Sequence, residues 1–276
     1  MLLAIDVGNT NTVLGLYHPD SPELAADWRI TTHKNQTSDE YGVLFLNLFA
    51  MRQIDVSKIT SIVVSSVVPP LDTTLRRVCE RYFGLRPIFV EPGIKTGMPL
   101  LVDNPAELGA DRIVNGVAAF ARYGGPIIVV DFGTATTFDL ISPRGEYIGG
   151  VIAPGLGISA DALFSRAAKL ARVDIKRPVR VIGTNTIAHL QSGLFYGYIG
   201  LVDGILERML AEIHGSHPND HAPKVIATGG LAHMLHEDSK YITAIDDMLT
   251  LDGLRLLYER NRNPRSRGTP SPASTT

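Results

Sequence analysis

Leu3-Ala4-Ile5-Asp6-Val7-Gly8-Asn9-Thr10-Asn11-Thr12 opens the chain, and Ile128-Val129-Val130-Asp131-Phe132-Gly133-Thr134-Ala135-Thr136-Thr137 repeats its design about 125 residues later. Each stretch is an apolar strand that runs into an aspartate, a glycine and a hydroxyl- or amide-rich turn, then returns as a second strand. Such a hairpin aims backbone N–H groups, Thr hydroxyls and Asn amides at one point beside one carboxylate. That inventory suits a nucleotide phosphate and its cation. Two copies predict a duplicated α/β fold whose two lobes close over one nucleotide. The chain contains no G-x-x-x-x-G-K-[ST] sequence, so a P-loop is unsupported.

Around the first hairpin the pattern builds a lobe over residues 1–124. Strands at Leu2–Ile5 and Thr12–Tyr17 and an extended piece near Trp28–Thr31 make a meander. Thr37-Ser38-Asp39-Glu40 reads as a capping box, followed by apolar Tyr41, Leu44, Phe45, Leu48 and Phe49 at helical spacing. A buried strand at Ile62–Val68 stops at Pro69-Pro70, a helix from Leu71 to Tyr82 ends at Gly84, and Ile88–Val90 is a further strand. After a Gly/Pro-rich stretch from Glu91 to Pro99, Asn104-Pro105-Ala106-Glu107 predicts the start of a helix running to Tyr123.

A second lobe, 125–261, repeats the scheme. It has strands at Ile127–Val130, Thr137–Ile141 and Glu146–Gly149, helices near Ser159–Leu170 and Thr186–Ile213, and a strand Lys224–Ala227 running into Thr228-Gly229-Gly230. A terminal helix lies near Leu251–Arg260. Residues 262–276 are Arg/Pro/Ser/Thr-rich and are expected to be a disordered tail.

Composition narrows the class. Of 276 residues, 45% are hydrophobic and 20% charged, as in a globular protein with a substantial core. A net charge of −2 gives no electrostatic case for a nucleic-acid partner. The single cysteine, Cys79, excludes an intramolecular disulfide and a multi-thiolate metal site, and is expected to pack as a small apolar residue. No apolar run approaches the roughly 20 residues that span a bilayer. The N-terminus carries no basic n-region or long apolar core, so the expected setting is the cytoplasm without membrane contact.

Further segments carry chemistry. In Gly109-Ala110-Asp111-Arg112, a helical wheel puts Ile113, Val114, Val117, Ala118 and Ala121 on a buried stripe, with Asp111, Asn115 and Arg122 opposite and Arg112 at the border. The polar face is either solvated or turned into the cleft. In the second case Asp111 takes a proton from a substrate hydroxyl and Arg112 holds an anionic group. Asp6 would hold a hydrated magnesium ion, which keeps several waters and few protein carboxylates. Thr228-Gly229-Gly230 is either a structural turn or the loop along an adenosine. Gly193, Gly197, Gly200 and Gly204 each cost about 1 kcal/mol in a helix, so they imply close approach of another backbone, a neighbouring helix or a dimer partner. His214, His217 and His221, and His233 with His236, read as solvated side chains rather than metal ligands.

Taken together and in order, Asp6–Thr10, Ser65-Ser66-Val67-Val68-Pro69, Gly109–Asn115, Asp131–Thr137 and Thr228–Gly230 resemble the type III pantothenate kinases. These belong to the superfamily of acetate and sugar kinases, heat-shock chaperones and actin. The resemblance covers residues 1–260. It implies two ribonuclease-H-like domains with mixed sheets flanked by helices, a homodimer, and ATP-dependent phosphorylation of pantothenate, the first step toward coenzyme A. Asp111 matches the family's catalytic base. Gly109, Ala110, Asp111, Arg112 and Thr186 match its pantothenate site. Asp6, Val7, Gly8, Asn9, Thr10, Asn11, Thr12 and Val13, with Thr134, match its ATP site, and Asp131 a monovalent-cation ligand for potassium or ammonium. Val102 stands where some relatives place a tyrosine over the substrate, so a stacking or hydroxyl contact is lost there. The competing expectation is an ATP-binding regulatory or accessory protein on the same fold without kinase turnover.

Overall fold

The computed structural model describes residues 1–19, 21–167, 170–216 and 221–262. Residues 263–276 of the expected tail and 217–220 of the histidine-rich loop lie outside them.

Alternation along two strands explains the layering. β1 (Leu2–Val7) sends Leu3, Ile5 and Val7 to one side of its sheet, and Leu2 and Ala4 to the other. The first side packs under α1 (Ser38–Met51) and α2 (Pro69–Phe83). The second faces α3 (Ala110–Tyr123) and α7 (Leu249–Asn261). In the second lobe β6 (Ile127–Phe132) does the same: Ile127 and Val129 face α3 and α7, whereas Ile128, Val130 and Phe132 face α5 (Thr186–Ser216). With a period of two, Asp6 and Asp131 both fall on the inner faces, looking at α3.

The strands are otherwise β2 (Asn11–Tyr17), β3 (Leu24–Thr31), β4 (Ser61–Ser66), β5 (Ile88–Phe89), β7 (Ala135–Ile141), β8 (Tyr147–Pro154), β9 (Lys224–Thr228) and β10 (Ala244–Ile245). The first sheet runs β3-β2-β1-β4-β5 and the second β8-β7-β6-β9-β10, the same order twice. In both, a three-stranded antiparallel meander is joined to two parallel strands. The duplication expected from the two hairpins therefore extends through each sheet.

Most elements form where expected. Thr37 caps α1 in a full capping box with Glu40, and Gly84 ends α2 at φ 65°, a left-handed conformation that glycine adopts without strain. Cys79 is buried in the apolar core. The helix expected from Asn104 is corrected: Asn104 caps only a short 3₁₀ turn over Pro105–Glu107, and α3 starts after Gly109. α4 (Leu156–Arg166) begins earlier and ends earlier than expected.

The wheel for α3 is also corrected. Ala121 is exposed, while Asn115 is buried along with its apolar neighbours. A helix sandwiched between two sheets has no solvated face in its middle turns. α7 closes the second lobe in sequence yet packs against β1, β2 and β4 of the first sheet, crossing α3 closely. At that crossing a Cβ on Gly253 would lie 2.2 Å from the Val114 carbonyl oxygen. Gly253→Ala is accordingly expected to destabilise the protein by about 1–3 kcal/mol, read as a lower urea midpoint with an unchanged slope. An unchanged midpoint would mean that the crossing yields freely.

Candidate active site

The two acidic hairpins meet. Thr10 Oγ1 in the β1–β2 turn lies 2.8 Å from Thr134 Oγ1 in the β6–β7 turn. Each turn is braced internally: the Gly8 N–H donates to the Asn11 carbonyl (3.0 Å) and the Gly133 N–H to the Ala135 carbonyl (3.1 Å). Thr12 serves the brace, because its buried hydroxyl pairs with that of Thr32 (2.9 Å), which in turn donates to the Gly8 carbonyl (2.8 Å). Asn9 is exposed and accepts from the Lys34 ammonium at 3.0 Å. Val7 belongs to the core under α1 and α2, and Val13 packs at the margin of the core between the sheets.

Facing the hairpins is the first turn of α3. Asp111 folds back so that its Oδ1 accepts from the Arg112 N–H at 2.8 Å. A side chain at position 109 would place its Cβ 2.6 Å from that oxygen, so Gly109 clears the space the carboxylate occupies. Ala110 and Val102 are half-buried at the edge of the core between the sheets, with Leu108 between them in sequence.

Three carboxylates feel one another here. Burial pushes the Asp6 carboxyl up to about 7, and the charges of Asp111 and Asp131 add to this against Ser65 and Arg29. Burial and then Asp111 push Asp131 up to about 7 as well, partly offset by the Asn115 amide and, more weakly, by Arg29. Asp111 is raised by burial, with the Arg112 N–H opposing. A site with several uncompensated carboxylates and neutral oxygen donors suits hard cations. Among the described residues no three His, Cys, Asp or Glu side chains gather into a metal cage. A magnesium ion at Asp6 would thus complete its shell with water and phosphate oxygens.

Asp131 is held by a relay that crosses the lobes. Asn115 Nδ2 donates to Asp131 Oδ2 at 2.9 Å, and Thr250 at the start of α7 donates to Asn115 Oδ1 at 2.8 Å. Asn115 closes the Gly109–Asn115 segment singled out in the sequence, whereas Thr250 carries no local motif marking it as part of a site. Gly229, at φ 91°, packs where a Cβ would be 2.6 Å from Asp131 Oδ1. Next to it opens a cleft of about 480 Å³ bounded by Asn11, Val13, Arg29, Gly230, Met248 and Leu251 among others. The cleft takes residues from both lobes and adjoins the β1–β2 hairpin, which favours the adenosine-side reading of the Gly-Gly turn. His233 lines it too and bonds Asp247 at 2.7 Å, a carboxylate partner the local spacing did not offer.

Arg112 is anchored by a residue that sequence reasoning missed. Its Nε lies 2.7 Å and its Nη2 2.6 Å from Asp139 Oδ1, and Asp139 is fully buried. Thr186 lies elsewhere: it opens α5, on the opposite side of the second sheet from α3, and is exposed. The glycine stripe of that helix is corrected for one of its two readings. A Cβ on Gly193, Gly197 or Gly200 would meet nothing within 4 Å, so among the described residues no helix of the same chain approaches them.

Two sheets of the same strand order, with acidic hairpins that meet at Thr10 and Thr134 and face a helix-borne carboxylate, make a duplicated α/β architecture around one cleft. In overall shape the chain resembles a crystal structure from Campylobacter jejuni named for the Baf family of transcriptional activators. The TM-score is 0.57 at 21% identity, covering 94% of this chain and 98% of that one, a likeness of fold alone. The family model for type III pantothenate kinase matches residues 2–208. Type III pantothenate kinases from Koribacter versatilis and Acidobacterium capsulatum are 61% and 56% identical to it, each over 97% of this chain and over 98% and 97% of those proteins. The chain belongs to the type III pantothenate kinase family. It is an enzyme that phosphorylates pantothenate in coenzyme A biosynthesis, using ATP with a divalent metal. The regulatory alternative is not favoured. No helix among the described residues is long and apolar enough to cross a membrane.

Proposed function

We propose that Asp111 is the general base of this kinase, that the turns around Asn9 and Thr134 hold one triphosphate from two sides, and that Arg112 receives the carboxylate of pantothenate. The observation that carries this assignment is the meeting of Thr10 and Thr134 opposite Asp111. Phosphoryl transfer needs mainly positioning and charge neutralisation. Asp111 accepts the proton of the primary hydroxyl as its oxygen bonds to the γ-phosphorus. The bond to the β,γ-bridging oxygen breaks, and ADP and 4′-phosphopantothenate leave. Magnesium beside Asp6 supplies neutralisation of phosphate charge. Gly109 gives the base its room and Ala110 borders the substrate beside it, and Val102 offers the substrate an apolar wall without a hydroxyl.

Asp131 with Asn115 is the seat we assign to a monovalent cation, potassium or ammonium. Two acidic groups in mutual repulsion favour a positive ion between them and the phosphates.

The unit we assign is a cytoplasmic homodimer built on α5. The exposed glycine face of that helix, flanked by exposed Ile182 and Ile187, is an apolar surface shaped for close helix approach. Thr186, at the head of the same helix, does not reach the substrate site within its own chain. Sedimentation at twice the chain mass, reduced to one mass by Gly197→Arg, is the expected result.

The assignment is tested by pantothenate-dependent ADP release, measured with and without potassium. Release that needs pantothenate and rises with potassium supports it. Equal release without potassium would remove the cation from Asp131.

A further inference from the structure

Asp139 is buried in the second sheet with no role in the chemistry described so far. Its carboxylate gathers four donors: Arg112 Nε (2.7 Å) and Nη2 (2.6 Å), the Tyr147 hydroxyl (2.5 Å) and the Thr137 hydroxyl (3.1 Å). The strand register accounts for this. Asp139 pairs with Gly150 across β7 and β8, and Thr137 lies two residues before it on the same face. A Cβ at Gly150 would stand 2.7 Å from Arg112 Nη2 and 3.1 Å from Asp139 Oδ1, so the guanidinium lies over a strand that is bare at that point.

A guanidinium has five N–H donors in a fixed planar fork. Asp139 occupies the Nε edge, and the remaining donors on Nη1 and Nη2 point away from it. That outward edge has the spacing of a carboxylate, which guanidinium binds through two parallel hydrogen bonds. An arginine free to swing would lose side-chain freedom on binding substrate, whereas this one has already lost it on folding. Its side chain is 13% exposed, enough to present one edge and little more.

We propose that Asp139, supported by Tyr147 and Thr137, is a positioning residue that fixes Arg112 in the orientation that receives the substrate carboxylate. It sets affinity for the acid end of pantothenate without touching substrate. The inference rests on Arg112 being the carboxylate's partner, as assigned above.

The test is steady-state kinetics of Asp139→Asn, Tyr147→Phe, Arg112→Gln and the double variant Arg112→Gln/Asp139→Asn, each checked for folding by circular dichroism. Asp139→Asn is expected to raise KM for pantothenate about 10- to 100-fold, the usual worth of a hydrogen bond to a charged group, with KM for ATP within about twofold. Tyr147→Phe should move the same constant by less; it leaves no buried charge unpaired, so it carries the test if Asp139→Asn fails to fold. In the Arg112→Gln background Asp139→Asn should add nothing, because both act through one interaction. An unchanged pantothenate KM in the folded Asp139 or Tyr147 variant would overturn the proposal. So would a parallel rise in the ATP constant, or multiplying effects in the double variant. Arg112→Gln alone reads the underlying assignment: if it leaves the pantothenate KM unchanged, the carboxylate lies elsewhere, and that failure is distinct from failure of Asp139 to act through Arg112.

Discussion

Asp111→Asn is expected to lower kcat by about 10²- to 10⁴-fold, the contribution of a positioned general base, while KM for ATP stays within about twofold. The substitution is close to isosteric. An amide oxygen can still accept from the Arg112 N–H that orients Asp111 at 2.8 Å, and no extra atom intrudes on Gly109. What is lost is the ability to take a proton. Burial holds the Asp111 carboxyl above its ordinary range, which brings its basicity nearer to neutral pH, where a base is most effective. The pH profile of kcat should therefore show an acid limb above the usual aspartate range, and that limb should vanish in the variant. Turnover like that of the wild-type enzyme in Asp111→Asn would remove the residue from the chemistry.

A second large effect is expected from Asp131→Asn, with opposite signs for stability and activity. In the metal-free protein the Asp131 carboxyl titrates at about 7 instead of 3.8, mainly because it is buried and next because Asp111 is close. Between those values the folded state keeps a proton that the unfolded chain has released. The stability this group contributes is thus complete below pH 3.8 and is lost as pH rises through 7. The full linkage of such a shift is at most about 4 kcal/mol. Asn carries no charge, so the variant should melt above the wild-type protein at pH 8 in chelator-treated buffer, with the gap closing toward pH 4. Its turnover should fall, because the repelling carboxylates are what a cation and a phosphate-bound metal require. Thermal melts at both pH values check this. A variant less stable than wild type at pH 8, or a gap independent of pH, would contradict it.

The parts of this site that were legible in the sequence are those written in contiguous residues. An apolar strand ending in Asp-x-Gly shows both the strand and the face of its carboxylate, so Asp6 and Asp131 could be paired before any contact was seen. The Thr37 capping box and the Gly84 stop are local hydrogen-bond chemistry and are equally visible. Asp139 was missed because its function comes from register: its importance depends on Gly150 lying opposite and on a helix delivering Arg112 over both. Thr250 was missed for a related reason, since its bond to Asn115 joins residues 135 apart. Asn115 was set on a polar face that was either solvated or turned into the cleft, and its burial against Asp131 fits the second reading, since α3 has core on both sides. The Asn104-Pro105 signal was real as a cap but started a turn rather than a helix, because the backbone is extended at Leu108 and Gly109 before α3 begins. The four glycines of α5 had two readings in sequence, and among the described residues nothing lies within 4 Å of a Cβ at three of them, which speaks against a neighbouring helix of the same chain.

In the function proposed above, one triphosphate is held between the Asp6–Thr12 and Asp131–Thr134 turns with its terminal phosphate facing Asp111. A crystal structure with magnesium and a non-hydrolysable ATP analogue tests it most directly. The phosphates should contact backbone or hydroxyl groups of both turns, with the γ-phosphorus within in-line reach of a hydroxyl bound at Asp111. Phosphates held by one turn only, or a γ-phosphate directed away from Asp111, would contradict the account.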